Sequence, residues 1–540
     1  MTDTLLFNAR IHTMDPARPT AEALLIRGGR IVAVGNNNLP APGARRIDAG
    51  GRRCLPGFQD AHIHLLNGGT DLVETAQLYD CLTPGDIQTV MAQHNAKIGG
   101  EMVWGAGWQN GHFGDENQNA ALLDAAVPDR PCLIYDGNFH NACLNSAAIA
   151  RIGLTDDTSD PPNGHFVRDA QGRATGMLHE DAIYWATARL PKTPDAVMAE
   201  GLLAGQAHAN RHGITGVIDP QILDHHVRIY ARAERQGLLT LRVAGAMGVF
   251  ASDSVETATA RLTKLRAAHA SEDFHLNAAK FFMDGGLENR TATLLAPYAD
   301  AKGGNAPLMF RPDQIAALFT ALDALRFQIH VHCIGDGAVR TALDGFDLAR
   351  RANGPWPGLH QIAHCEVVHP DDLPRFAALN VMANLQPLWA AWDPLIPDDT
   401  MAMVGPDREA WVYPNRSLID AGAPWCINSD WAVTTLNPFE IIGTAITRQP
   451  LRRRGNAPPF HPEQRITVEE AVLGYTTGAA DACWRGHHTG QLRPSFSADL
   501  ILLDRDIFTC DPYDVAETQV DLTLFKGRAV HRGPMFAEVP

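Results

Sequence analysis

In Pro56-Gly57-Phe58-Gln59-Asp60-Ala61-His62-Ile63-His64, two imidazoles stand two residues apart. On a strand, residues so spaced point to the same side. His62 and His64 can therefore grip one divalent cation at the end of a short strand. Three further groups of metal-binding type close short apolar runs elsewhere in the chain: His332 after Gln328-Ile329-His330-Val331, His364 after Gln361-Ile362-Ala363, and Asp430 after Trp425-Cys426-Ile427-Asn428-Ser429. Four imidazoles and a carboxylate suit a borderline metal such as zinc, which activates water for hydrolysis. Lys280 interrupts the apolar run Ala278-Ala279-Lys280-Phe281-Phe282 just before Met283-Asp284-Gly285-Gly286. An isolated buried ammonium is costly, so Lys280 needs a partner. His330 shares the face of His332 one layer deeper and reads as structural.

These groups need a scaffold that brings strand ends together. Apolar runs at Thr215–Asp219, Leu241–Ala244, Ala278–Phe282, Gln328–His332, Gln361–His364, Asn380–Ala383 and Trp425–Asn428 alternate with helical periodicity, as from Pro312 to Leu325. Repeated βα units form a TIM barrel or a doubly wound sheet. Length and the polar residues at strand ends favour the barrel, whose catalytic groups gather at the C-terminal ends of its strands. Short strands broken by turns occupy the first and last fifty or so residues, so the two ends are expected to pair into one small β domain. The stretch from about Leu65 to Leu190, with Trp104, Trp108, His112, Phe113, Phe139, His140 and Trp185, is too long for one βα connection. It reads as an insertion beside the barrel mouth. Its aromatics either pack its own core or cap the site against water.

Composition narrows the partners. With 540 residues, 45% hydrophobic, the chain buries a large core in more than one domain. A formal net charge of −16 speaks against nucleic acid. The cluster Arg452-Arg453-Arg454 reads as a solvated loop. Nine scattered cysteines without a C-x-x-C pair fit a reducing compartment. With neither a signal-peptide pattern nor a membrane-spanning run in the sequence, the expectation is a cytoplasmic enzyme acting on a small molecule without a membrane partner. Homodimerisation is expected from base rates alone.

Taken together, the motifs resemble the amidohydrolase superfamily, and within it the YtcJ-like branch that includes N-substituted formamide deformylases. The resemblance runs nearly end to end. It rests on P-G-F-x-D-A-H-x-H, Lys280 with Phe281-Phe282-Met283-Asp284-Gly285, Arg290-Thr291-Ala292 followed by Pro297-Tyr298, His332 with Ile334-Gly335-Asp336, His364, Gln386-Pro387, Ser429-Asp430 and the closing Ser497-Ala498-Asp499-Leu500. It implies an α/β fold: a TIM (β/α)8-type barrel over residues 58–485 with the insertion at about 65–190, and a small β-sandwich domain assembled from residues 1–57 and 486–540. By the same resemblance, His62 and His64 hold one divalent metal, His332 and His364 the second, and a carboxylated Lys280 bridges both. Asp430 serves as last ligand and proton shuttle. Zinc leads among the candidate metals.

The implied reaction is cleavage of a C–N bond, amide above all, by metal-activated hydroxide, with Asp430 returning the proton to the leaving nitrogen. An ester or lactone hydrolase or a deaminase would use the same groups, and a non-catalytic scaffold of the same fold is the remaining alternative. Complete ligand positions favour catalysis. Trp108, His140 and Arg290 match recurrent substrate-facing positions. Arg290 reads equally as a carboxylate or oxyanion contact and as a loop salt bridge; His140 reads equally as a substrate contact and as a hydrogen-bonded scaffold residue. Three positions depart from the usual pattern: Ala363 stands for Glu, Asn428 for Gly, and His165 for one Gly of a pair.

Overall fold

A computed structural model describes residues 3–109, 119–137, 139–391, 400–451 and 455–539. The expected loop Arg452–Arg454 and the aromatic positions His112 and Phe113 lie outside these residues.

Eight parallel strands form the central sheet: β1 (Phe58–Asp60), β2 (Ile214–Ile222), β3 (Arg242–Gly248), β4 (Phe274–Phe282), β5 (Gln328–Cys333), β6 (Gln361–His364), β7 (Met382–Leu385) and β8 (Trp425–Ile427). They neighbour one another in chain order. The sheet nearly closes, because Ala61 N after β1 donates to the Ile427 oxygen of β8 at 3.4 Å. Helices follow the strands, among them Asp224–Arg235, Val255–Ala268, Pro312–Ala324 and Asp336–Asn353. The fold is thus of TIM-barrel type. β4, β5 and β6 are buried along almost their whole length, as parallel strands covered on both faces must be.

The chain ends form two more sheets. One orders Arg30–Gly35, Ala23–Arg27, Thr4–Phe7 and Arg45–Asp48. The other orders Arg528–Arg532, Val520–Phe525, Leu500–Leu503, Arg53–Pro56, Arg10–His12 and Thr20–Ala21. Leu6, Leu24 and Ile31 of the first share one apolar cluster with Ile11, Leu500 and Leu524 of the second. Arg242, fully buried in β3, ties this unit to the barrel through Asp499 and Ser497.

Between β1 and β2 lies a third sheet, ordered Gly164–Arg168, Ala174–Glu180, Asn141–Leu144, Cys132–Asp136, Val103–Trp108 and Thr75–Gln77. Its two apolar clusters are its own. The helix that opens this stretch, Leu65–Glu74, starts directly after His64 and crosses helix Asp195–Arg211 closely. A Cβ on Gly69 would stand 2.1 Å from the Gly201 carbonyl oxygen, and one on Gly201 would stand 2.6 Å from Thr70 Cα. Backbone meets backbone here, so no side chain can swing aside. Gly69→Ala is expected to destabilise the protein by about 1–3 kcal/mol, read as a fall in denaturation midpoint; an unchanged midpoint would contradict this packing. Among the described residues, no helix is long and apolar enough to cross a membrane.

Candidate metal centre

Register brings the candidate groups to one end of the barrel. Lys280 of β4 pairs with His330 of β5, and Phe282 pairs with His332. One strand further on, Cys333 pairs with His364. Beyond β1 and β8 the loops interlock: Asp430 N donates to the His62 oxygen at 2.9 Å and His64 N to the Trp431 oxygen at 2.6 Å. Asp60, fully buried at the end of β1, accepts from His62 N and Ser429 N through one oxygen, each at 3.2 Å. This single carboxylate fixes the loops carrying His62 and Asp430. It stood inside the sequence motif, but nothing in the sequence marked it as the clasp.

The side chains converge. His62 Nε2 and His64 Nε2 each lie 3.3 Å from Asp430 Oδ1, and ligand atoms of the three fall within 4.8 Å of one another. The His62 ring is 5.1 Å from that of His364, which is 4.3 Å from that of His332. Lys280 acts electrostatically on His62, His332, His364 and Asp430. Two of the rings are aimed by a hydrogen-bonded neighbour. His330 Nε2 meets His62 Nδ1 at 2.8 Å, leaving Nε2 of His62 toward Asp430. Gln386 holds His364 Nδ1, and Trp389 stacks on the same ring at 5.5 Å. Asp284, whose oxygens accept from Thr293 N, Ile334 N and Gly335 N, fixes the loop after His332 and lies 3.4 Å from His332 Nδ1.

The electrostatics suit cation binding. Burial, reinforced by Lys280, holds His62 and His332 well below the ordinary histidine range; burial together with His332 does the same for His364. All three are therefore neutral, the form that ligates metal. Burial pushes the Lys280 ammonium down to about 7 against the pull of Asp430. Burial would raise the Asp430 carboxyl, but His64, His364 and Lys280 together outweigh it and the group sits below its ordinary range. Among the described residues, Lys280 Nζ, His332 Nδ1, His364 Nε2 and Asp430 Oδ1 are buried with no hydrogen-bond partner. Each such orphan costs about 1–3 kcal/mol. Divalent cations held by Asp430 and by the free nitrogens of the imidazoles would relieve that cost, so the residues present fit a metal.

The substrate-facing candidates separate. His140 lies at the cage: its ring is 6.3 Å from that of His332, and its Nδ1 is 2.8 Å from Glu180 Oε2. Burial lowers the imidazole, but Glu180 outweighs it and the group rises to about 9. Arg290 takes the second of its two readings, because its guanidinium pairs with Asp300 at 2.6 Å, donates to the Gly303 oxygen and covers Tyr298. Trp108 is fully buried and belongs to the insertion's apolar cluster with Leu78, Ile87, Met91 and Val103. The insertion's other aromatics also pack: Trp104 stacks on Tyr135, and Trp185 meets Phe166 edge-on. His165 is exposed, 2.7 Å from Asp160. Glu180 escaped the sequence reading, since a glutamate before a helix resembles any surface carboxylate.

Protein LONG AFTER FAR-RED 3 of Arabidopsis thaliana is 28% identical over 93% of this chain and 87% of its own length. The N-substituted formamide deformylase of Arthrobacter pascens is 26% identical over 98% of both chains. Among solved structures, an uncharacterized metal-dependent hydrolase from Pyrococcus horikoshii superposes with a TM-score of 0.77 at 23% identity, covering 95% of this chain and 99% of that one; it shares the fold. The model of the amidohydrolase family matches residues 45–531, and the chain belongs to that family.

Proposed function

We propose that this chain is a metal-dependent hydrolase that cleaves an amide-type C–N bond of a small molecule, with Asp430 moving the proton. The observation that carries this reading is the approach of His62 Nε2 and His64 Nε2 to the same Asp430 oxygen, 3.3 Å from each, in a buried pocket of neutral imidazoles.

His62, His64 and Asp430 would hold one divalent ion and His332 with His364 the second. Lys280, once its amine has added CO2 with the Nζ–C bond formed and one proton lost, would supply a further anionic ligand. The lowered Lys280 ammonium supports this, since only the free amine reacts. When bound, the ions would lower the pKa of water toward neutrality and polarise a carbonyl; zinc leads among the candidates.

The protein's own part is positioning and proton transfer. Asp430, ionised at neutral pH, accepts the proton of the attacking water as its oxygen bonds to the carbonyl carbon. The same carboxyl then protonates the nitrogen as the C–N bond breaks. That second transfer matters because an amide anion is a poor leaving group. His330, Gln386 and Asp60 keep the imidazoles and Asp430 in place throughout. The two terminal sheets with their shared core are read as the β-sandwich domain.

The A. pascens relative, named for N-substituted formamides, puts N-formyl amines first in a substrate panel. The test is metal analysis of the purified protein alongside N-formyl and N-acyl amines, lactones and amino-heterocycles. Two bound divalent ions with turnover of the amides are expected. Activity confined to lactones or amino-heterocycles would replace the amide reading, and a protein that binds no divalent ion after growth in zinc or manganese would end it.

A further inference from the structure

Glu180 closes the last strand of the insertion and is nearly buried, with its backbone at a φ of +50°. That conformation is unfavourable for a side chain larger than glycine and persists only where the surroundings enforce it. Here three bonds do so. Glu180 N donates to the His140 oxygen at 3.0 Å; Oε2 faces His140 Nδ1 at 2.8 Å; Oε1 accepts from Thr291 Oγ1 at 2.7 Å. Thr291 belongs to the barrel, on the loop after β4. Gly285 leaves the required space, since a Cβ there would stand 2.2 Å from Thr291 Oγ1 and 2.8 Å from Glu180 Oε1.

The two partners differ in access. The Glu180 side chain is 8% exposed, whereas that of His140 is 23% exposed and lies on the same side as His332. With Nδ1 facing a carboxylate, the imidazole has a fixed orientation, and Nε2 is the edge left for another molecule. Among the described residues, Nε2 of His140 has no hydrogen-bond partner.

We propose that Glu180 is a positioning residue acting through His140: it locks the imidazole so that Nε2 hydrogen-bonds a substrate entering beside His332. This rests on the hydrolase reading above. A substrate held by an imidazole that cannot turn meets the attacking water in one orientation, and that ordering lowers the barrier to attack. The insertion thereby contributes to the reaction while holding none of the proposed metal ligands.

The test uses full-length, metal-loaded protein and three variants: Glu180→Gln, His140→Ala and the double variant. Glutamine keeps an oxygen for Thr291 but sets an NH2 group against His140 Nδ1. Glu180→Gln is expected to lower kcat about 100-fold with KM shifted by no more than about threefold and metal content unchanged. The double variant should be no slower than His140→Ala, because glutamine keeps the oxygen for Thr291 and the proposed contribution of Glu180 to turnover runs through His140. Losses that multiply in the double variant, or a Glu180→Gln enzyme at the wild-type rate, would overturn the proposal. A readout free of activity comes from 15N-histidine NMR, with His140 assigned by its absence in His140→Ala. The wild type should carry a proton on Nδ1 that Glu180→Gln displaces; a bare Nδ1 in the wild type refutes the lock. Should the wild type turn over nothing in the panel, the hydrolase reading falls on its own, and the NMR result still decides whether Glu180 positions His140.

Discussion

Asp430→Asn is expected to cut turnover by about 10²- to 10⁴-fold, the range for loss of a general acid–base group. Asparagine has the same shape and keeps a carbonyl oxygen toward His62 and His64, so most of the metal should stay. What it lacks is a group that can take a proton from water and hand it on. The wild-type carboxyl is suited to both steps: it is enclosed, lies 3.3 Å from two imidazole nitrogens and is ionised at neutral pH. Steady-state kcat on whichever amide the wild type cleaves, measured beside metal content, checks this. A variant with unchanged kcat would remove Asp430 from the proton path. A variant that loses its metal instead would assign Asp430 to holding the ion alone.

Stripping metal should have a still larger effect on activity and a separate one on stability. Chelation is expected to bring hydrolysis to background, with recovery on adding zinc. Lys280 Nζ and His364 Nε2 are then buried without a hydrogen-bond partner among the described residues. A cation that binds the folded chain and not the unfolded one stabilises it by about 4 kcal/mol when present at a thousandfold excess over its Kd. Thermal unfolding of the stripped protein should therefore begin at a lower temperature and climb with added zinc. Identical melting curves with and without metal would mean that these buried atoms are satisfied some other way.

Much of this centre was legible in the sequence because its parts obey short-range rules. His62 and His64 show the two-residue period of a strand, and His332, His364 and Asp430 each close an apolar run. The barrel strands fell where the alternation placed them, with ends shifted by a few residues: the run read as Asn380–Ala383 is Met382–Leu385, and Ala278–Phe282 begins four residues earlier, at Phe274. Strand ends depend on which neighbour supplies hydrogen bonds, and sequence does not carry that. The same reason hid Glu180, Asp60 and the aiming role of His330. Each acts through a partner distant in the chain: Glu180 through Thr291, Asp60 through Ser429, His330 through His62. Arg290 and Trp108 illustrate the converse. Their types suit binding, but the sequence does not show that Arg290 also pairs with Asp300 or that Trp108 also packs in an apolar cluster.

Strand Arg53–Pro56 lies between Arg10–His12 and Leu500–Leu503 and runs straight into β1 and His62. One of its two neighbours is therefore synthesised some 450 residues later. Until that segment leaves the ribosome, the stretch leading to His62 presents an open strand edge, and β8 with Asp430 has only just emerged. The strand leading to His62 therefore stays half-paired while the intervening residues are made, an open edge that a chaperone would be well placed to shield.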